Sequence, residues 1–238
     1  MRAIQSLSLL SLIFGISVST ATLAESHGGK PVGITADLMS LSVMHNGKPV
    51  TIQRNQDNEA VINPDFAKTS RACPPFCIQP MTVAEGVETL GESELLDYLA
   101  KVSGGDSSIL VVDSRTADWV KKGTIPGSVN IPWTSLVPAQ GATTEGIIKV
   151  MQENFDVSLA NEADVMDVDE AITDGDPAEV FDYSRAKTLV LFCNGMWCGQ
   201  SPASIKTLLK YGYPPEKLKY YRGGMQTWEI LGLTTIKP

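Results

Sequence analysis

Four cysteines fall in two close pairs, Cys73/Cys77 and Cys193/Cys198. In an oxidising compartment such pairs read as disulfides or redox couples ahead of metal ligands. The only histidines, His27 and His45, lie far from the second pair in sequence, so no metal site is expected. Cys193 is the cysteine placed for chemistry. It follows the apolar run Leu189–Phe192 and precedes a stretch, Ser201–Tyr211, with Ile205, Leu208 and Leu209 at helical spacing. A cysteine just past a buried strand and just before a helix sits at the carboxyl edge of a sheet, where open α/β folds bind ligands. The turn Asn194-Gly195-Met196-Trp197-Cys198 can curl its N–H groups around the sulfur. The helix that follows Gly199 aims its partly positive N-terminus at the same point. Both effects favour the thiolate, and at helix N-termini cysteine pKa values fall from about 8.5 to roughly 3.5–7.5. Gly195 suits a tight loop because it tolerates positive φ. Met196-Trp197 reads as an apolar rim to the pocket or as a knob for a partner. The plainer alternative is a buried structural cysteine, which the strand-then-loop placement disfavours.

The elements that must hold this loop alternate in type from Gly91 onward. Ser93 is the expected cap of a helix over Glu94–Val102, with Leu95, Leu96 and Leu99 inward. Ile109–Val112, ending in Asp113, reads as a buried parallel strand. A short helix near Ala117–Lys122 and a strand at Val129–Ile131 follow. The pattern predicts an α/β domain, mostly parallel, with helices on both faces of the sheet. Between 139 and 186 lies an insertion, read as one helix near Glu145–Asn154 and then an acidic run, Asp164, Asp167, Asp169, Glu170, Asp174 and Asp176. That run reads as a solvated loop, since it lacks the spacing and central glycine of a calcium loop.

Upstream, residues 25–90 form a separate region. Leu41–Met44 and Val50–Gln53 flank Asn46-Gly47, the strongest short hairpin signal. The Pro-rich stretch around Cys73-Pro74-Pro75-Phe76-Cys77 forbids a regular helix or central strand and reads as an ordered strap. Cys73 and Cys77 are expected to form a structural disulfide that fixes this strap locally, because so short a loop gains little through chain entropy. A sharper alternative has this pair exchanging electrons or sulfur with Cys193/Cys198.

Residues 1–24 read as a signal peptide, with Arg2, an apolar Ile4–Val18 and a small-residue site ending at Ala24. An uncleaved anchor is the alternative. The mature chain is expected in the periplasm, not integral to the membrane. With 43% hydrophobic and 19% charged residues the 238-residue chain is globular. A formal net charge of -8 leaves no surplus of basic residues for a nucleic-acid partner.

Three blocks resemble one family. Leu110–Arg115 with Gly123–Pro132 looks like the first signature of rhodanese domains. Leu191-Phe192-Cys193-Asn194-Gly195 resembles their active-site strand and loop, and Tyr221–Trp228 with Gly232-Leu233 their closing signature. The blocks occur in the family's order over residues 91–238, and together they are a strong signal. The resemblance implies a sulfurtransferase needing no cofactor. Cys193 would take sulfane sulfur from a small donor as a persulfide and hand it to a thiol or another acceptor such as cyanide, with a periplasmic redox or sulfur-carrier protein as a further partner. Where many relatives carry Arg, Thr or Ser at the sixth loop position, this chain has Cys198, so the loop has no cation for the sulfonate of thiosulfate. Arg222 is the candidate substitute. Gly199 stands where the related phosphatase pattern needs Arg, which argues against phosphate esters. Gly123-Thr124 replaces the family's frequent Gly-His. Three roles are open to Cys198: a resolving thiol, one half of a disulfide with Cys193, or a filler of the pocket. Two other functions stand beside sulfur transfer: a non-catalytic module that binds a partner protein, and a thiol–disulfide oxidoreductase using Cys193 and Cys198.

Overall fold

The structure is a computed structural model, and it describes residues 30–160 and 162–238. The segment read as a signal peptide, residues 1–24, lies outside the described residues. The chain begins with a hairpin, β1 (Ser40–His45) and β2 (Lys48–Gln53), paired in register from Ser40 opposite Gln53 to His45 opposite Lys48. Asn46 and Gly47 turn the corner with φ of 49° and 74°, the left-handed pair that a tight hairpin turn needs. A long strap, with one short 3-10 turn at Pro64–Phe66, then crosses to β3 (Glu88–Leu90).

The remaining elements are α1 (Glu92–Ser103), β4 (Ile109–Asp113), α2 (Ala117–Val120), β5 (Val129–Asn130), α3 (Thr144–Phe155), β6 (Ser158–Leu159), α4 (Val165–Asp174), β7 (Phe181–Asp182), β8 (Thr188–Phe192), α5 (Gln200–Lys210), β9 (Leu218–Tyr221) and α6 (Gly224–Ile230). Five strands form one parallel sheet in the order β3-β9-β8-β4-β5. β6 and β7 make a small antiparallel pair of their own.

Alternation along the central strands sends side chains to two separate apolar layers. Val112 of β4 with Leu189 and Leu191 of β8 packs among Ile147, Met151 and Phe155 of α3, Val168 of α4 and Ile205 and Leu208 of α5. Val111, Val190 and Phe192 point the other way, toward Leu95 and Leu99 of α1 and Met225 and Trp228 of α6. Both faces are covered by helices, so the strands read as continuous apolar runs. Val43 and Ile52 of the hairpin and Phe66 of the strap belong to the second layer, and all three are buried. Each such side chain contributes roughly 1.5–3 kcal/mol, so the hairpin and the strap's start are held by the same core as the sheet.

Three expectations need correction. Ser93 does not cap α1: Gly91 is the cap, and Glu94 Oε2 accepts from the Gly91 N–H at 3.0 Å, leaving Ser93 exposed inside the helix. The acidic run is not a loop. Asp164 accepts from the N–H groups of Met166 and Asp167 while Asp167 accepts from that of Asp164, a reciprocal cap that starts α4. Val168 is buried on that helix, Val165 and Ile172 pack partly beside it, and Asp167, Asp169, Glu170 and Asp174 take positions off that face. Third, the sheet's edge strand β3 precedes Gly91, and its three residues are too few to show alternation. Among the described residues no helix is long and apolar enough to cross a membrane.

Candidate functional site

β4 and β8 run in register from Ile109 opposite Thr188 to Asp113 opposite Phe192. The residues that follow both strands therefore emerge side by side at the carboxyl edge. Past β8 comes Cys193, buried at 2% exposure, and at the end of β4 Asp113, its last residue, pairs with Arg115 just beyond, both fully buried. Arg115 grips Asp113 through Nε (2.9 Å) and Nη2 (2.6 Å) and donates through Nη1 to Asn194 Oδ1 (3.4 Å). Thr124, where the family often has His, donates its hydroxyl to Asp113 Oδ2 at 2.6 Å. A buried ion pair needs its remaining lone pairs satisfied in this way. The pair thereby couples the first signature to the cysteine loop.

The closing signature supports the loop from the other side. The N–H groups of Met225 and Gln226 donate to the carbonyls of Cys193 and Asn194, both at 2.9 Å. Gly224 has φ of 55°, and a Cβ there would collide with the carbonyl oxygen of Cys193 and the amide nitrogen of Gly195. Only glycine permits that approach.

Burial pushes the Cys193 thiol up, but hydrogen bonds from the Cys198 thiol, the Ser201 hydroxyl and the N–H groups of Ser201 and Gly195 outweigh it. The result is a pKa lowered to about 7. Ser201 Oγ donates to Cys193 Sγ at 3.2 Å, and as a thiol Cys193 donates to the Cys198 carbonyl at 3.2 Å. Cys198 is pushed the opposite way, by burial and then by its hydrogen bond to Cys193 and the charge there. The two are free thiols. One is poised to ionise near neutrality while the other keeps its proton.

A cavity of about 270 Å³ opens beside the loop. Asn194, Trp197, Cys198 and Gly199 line it from the loop, joined by Gln200, Trp119, Trp133 and the strap's Pro75 and Phe76. Cys193 is buried and does not itself line the cavity. Met196 projects outward, 41% exposed, and its carbonyl accepts from the Gln79 N–H at 2.7 Å. Cys73 and Cys77 are joined as a disulfide with their Cα atoms 4.6 Å apart. Between them Phe76 meets Trp197 edge to face, and the Arg71 guanidinium lies 3.8 Å from the Trp197 ring centroid. Arg222 does not serve as a grip for an anion at the sulfur: its Nε and Nη2 donate to the Gln79 carbonyl at 3.1 and 2.9 Å, tying down the strap.

Sequence reasoning missed Ser201, Trp119, Trp133, Phe76, Gln79 and Arg71. Ser201 carried a signal, a hydroxyl in the first turn of the helix after the loop. Trp119 and Trp133 carried another, since each follows a strand of the sheet at its carboxyl end. The strap residues carried none, because their contacts are made across the fold.

The rhodanese-like domain family matches over residues 95–231. No curated protein matches. Among solved structures, the chain is similar to the human single domain sulfurtransferase TSTD1 at 18% identity and a TM-score of 0.32, covering 60% of this chain and 95% of that one. It is similar in the same degree, 18% and 0.32, to the BH2092 protein of Bacillus halodurans, covering 59% of this chain and 70% of that one. A full-length protein from Lactobacillus plantarum gives 18% and 0.32 again, covering 62% of this chain and 88% of that one. The family match takes in the cysteine loop, the first signature, Tyr221–Trp228 of the closing one and more than half of the chain, and the chain belongs to the rhodanese-like domain family.

Proposed function

We propose that the chain is an exported sulfurtransferase that carries sulfane sulfur as a persulfide on Cys193. The observation that carries this reading is the ring of donors on the Cys193 sulfur, which lowers its pKa to about 7. The thiolate is the nucleophile, and near neutrality this one is substantially formed. In the reaction it attacks the outer sulfur of a donor R–S–SH. The Sγ–S bond forms, the donor's S–S bond breaks, and its electron pair leaves with R–S⁻. The same donors that hold the thiolate then hold the persulfide, which a thiol acceptor relieves of its outer sulfur. Export, and a periplasmic acceptor, rest on the sequence reading of residues 1–24.

A second reading is favoured by Cys198, a free thiol in the same loop whose carbonyl accepts from Cys193 Sγ at 3.2 Å. Cys198 can attack Cys193–S–SH at Sγ, releasing sulfide and leaving a Cys193–Cys198 disulfide that an external dithiol reduces. Intact-mass spectrometry with peptide mapping, after incubation with thiosulfate or a polysulfide, tests both. One added sulfur atom on Cys193, kept in Cys198→Ser, supports sulfur transfer. No gain with any donor, although Cys193 alkylates freely, overturns it. Loss of two hydrogen atoms, with a link between Cys193 and Cys198, supports the exchange route.

A further inference from the structure

The cavity beside the loop is built in part by residues outside the matched family region. Pro75 and Phe76 come from the strap, and they close a space whose other walls are Trp119, Trp133 and Trp197. Three of the chain's four tryptophans therefore converge on one small volume. They arrive from the segments after β4, β5 and β8, at the sheet edge where Cys193 sits.

The walls are tied to their surroundings by specific contacts. Trp197 Nε1 donates to Gln226 Oε1 at 2.8 Å, and Arg71 and Phe76 pack on its ring. Phe76 is set by the neighbouring disulfide and by the Gln79 contacts to Met196 and Arg222. Among the described residues no charged side chain lines the cavity; its polar groups are Asn194, Gln200 and the Cys198 thiol. Arg71 faces the neighbouring groove with Cys73 and Cys77. A charged ligand would lose its hydration in a space whose lining offers no ion pair, since Arg71 and Lys122 sit against the Trp197 and Trp119 rings without lining it, a heavy cost in an apolar site. An uncharged apolar one loses nothing of that kind and gains aromatic contact. At about 270 Å³ the space exceeds a cavity of ~150 Å³ that takes benzene.

We propose that this cavity seats the uncharged organic group of a small thiol or hydropersulfide, with its sulfur directed at the Cys193–Cys198 loop. The assignment rests on the sulfur-transfer reading for its chemistry, but the seat itself can be tested without any transfer. It makes the strap a determinant of specificity, selecting alkyl or aryl sulfur compounds over inorganic anions.

The test uses Cys193→Ser protein, which cannot form the persulfide, titrated with thioanisole, a neutral and unreactive aryl sulfide. Indole N–H resonances are followed by NMR. The expected result is saturable movement of Trp119, Trp133 and Trp197, while Trp228, bonded to the Thr234 carbonyl in the core, stays still. Phe76→Ala in the same background should weaken binding about tenfold, some 1.4 kcal/mol. Phe76 is 39% exposed, so its loss leaves the fold intact. Benzenesulfonate, of like size but charged, should not compete. No saturation, an unchanged affinity in Phe76→Ala, or equal binding of benzenesulfonate would each overturn the proposal. Binding of thioanisole in a protein whose wild type takes no sulfur onto Cys193 would support the seat and sink the transfer reading alone.

Discussion

The hydroxyl of Ser201 donates to the sulfur of Cys193 across 3.2 Å, joining the first turn of α5 to the end of β8. This bond helps hold the Cys193 pKa near 7 against burial, where an ordinary thiol lies near 9.0. A lowered pKa means that the thiolate persists down to neutrality. Alkylation of Cys193 by iodoacetamide should therefore rise through about pH 7 and level off above it. Ser201→Ala removes a charge-assisted hydrogen bond of about 1.5–3 kcal/mol. It should move the midpoint upward and slow alkylation at pH 7 by about tenfold. A midpoint unchanged in that variant would deny Ser201 this role.

The loop was legible in the sequence because its neighbours are unambiguous. Leu189–Phe192 is a pure apolar run with a hard stop, and Ile205 and Leu208 mark the next helix. The hairpin was legible for a similar reason, since Asn46-Gly47 names its own turn. α4 was misread because its acids were counted rather than placed. Asp164 and Asp167, three apart before the Val168–Ile172 spacing, are a cap, and that signal was present. The cavity is a different case. Trp119, Trp133 and Phe76 meet only because three strand ends and a strap converge, and no local periodicity encodes that convergence. Arg222 shows the same limit: its partner, the Gln79 carbonyl, lies 143 residues away.

Asp113 and Arg115 are fully buried and satisfy each other, so removing one leaves an uncompensated charge in the core. Arg115→Met should lower unfolding stability by about 3–5 kcal/mol in urea titrations. The exposed pair Lys121–Asp118, at 73% and 89% side-chain exposure, is the contrast. Lys121→Ala should change stability by less than about 1 kcal/mol. Equal effects of the two substitutions would show that the buried pair does not organise the sheet edge.

Gly224 permits α6 to seat against the loop backbone. In Gly224→Ala the new Cβ must displace Cys193 or Gly195, and the left-handed backbone alone costs roughly 1–2 kcal/mol. The displaced loop loses its alignment with the donors on the sulfur. The expected outcome is a folded, less stable protein whose Cys193 alkylates with a midpoint shifted toward that of an ordinary thiol. Circular dichroism confirms the fold, and the alkylation profile reads the loop. A wild-type profile would contradict the close approach.

The strap separates local geometry from global stability. Its start is anchored by Phe66, 2% exposed in the layer beneath α6, so Phe66→Ala should cost about 3–5 kcal/mol. The Cys73–Cys77 disulfide closes a short loop outside the sheet, and chain entropy assigns such a closure only about 2 kcal/mol. Cys73→Ser with Cys77→Ser should therefore lower stability by no more than that while freeing Phe76 and Arg71 from Trp197. The change should appear as a red shift of tryptophan fluorescence. Faster exchange of the Gln79 amide, which donates to the Met196 carbonyl at 2.7 Å, should accompany it. Wholesale unfolding of the double variant would mean that the disulfide supports the domain rather than the wall of its cavity. An unaltered Trp197 signal would mean that it supports neither.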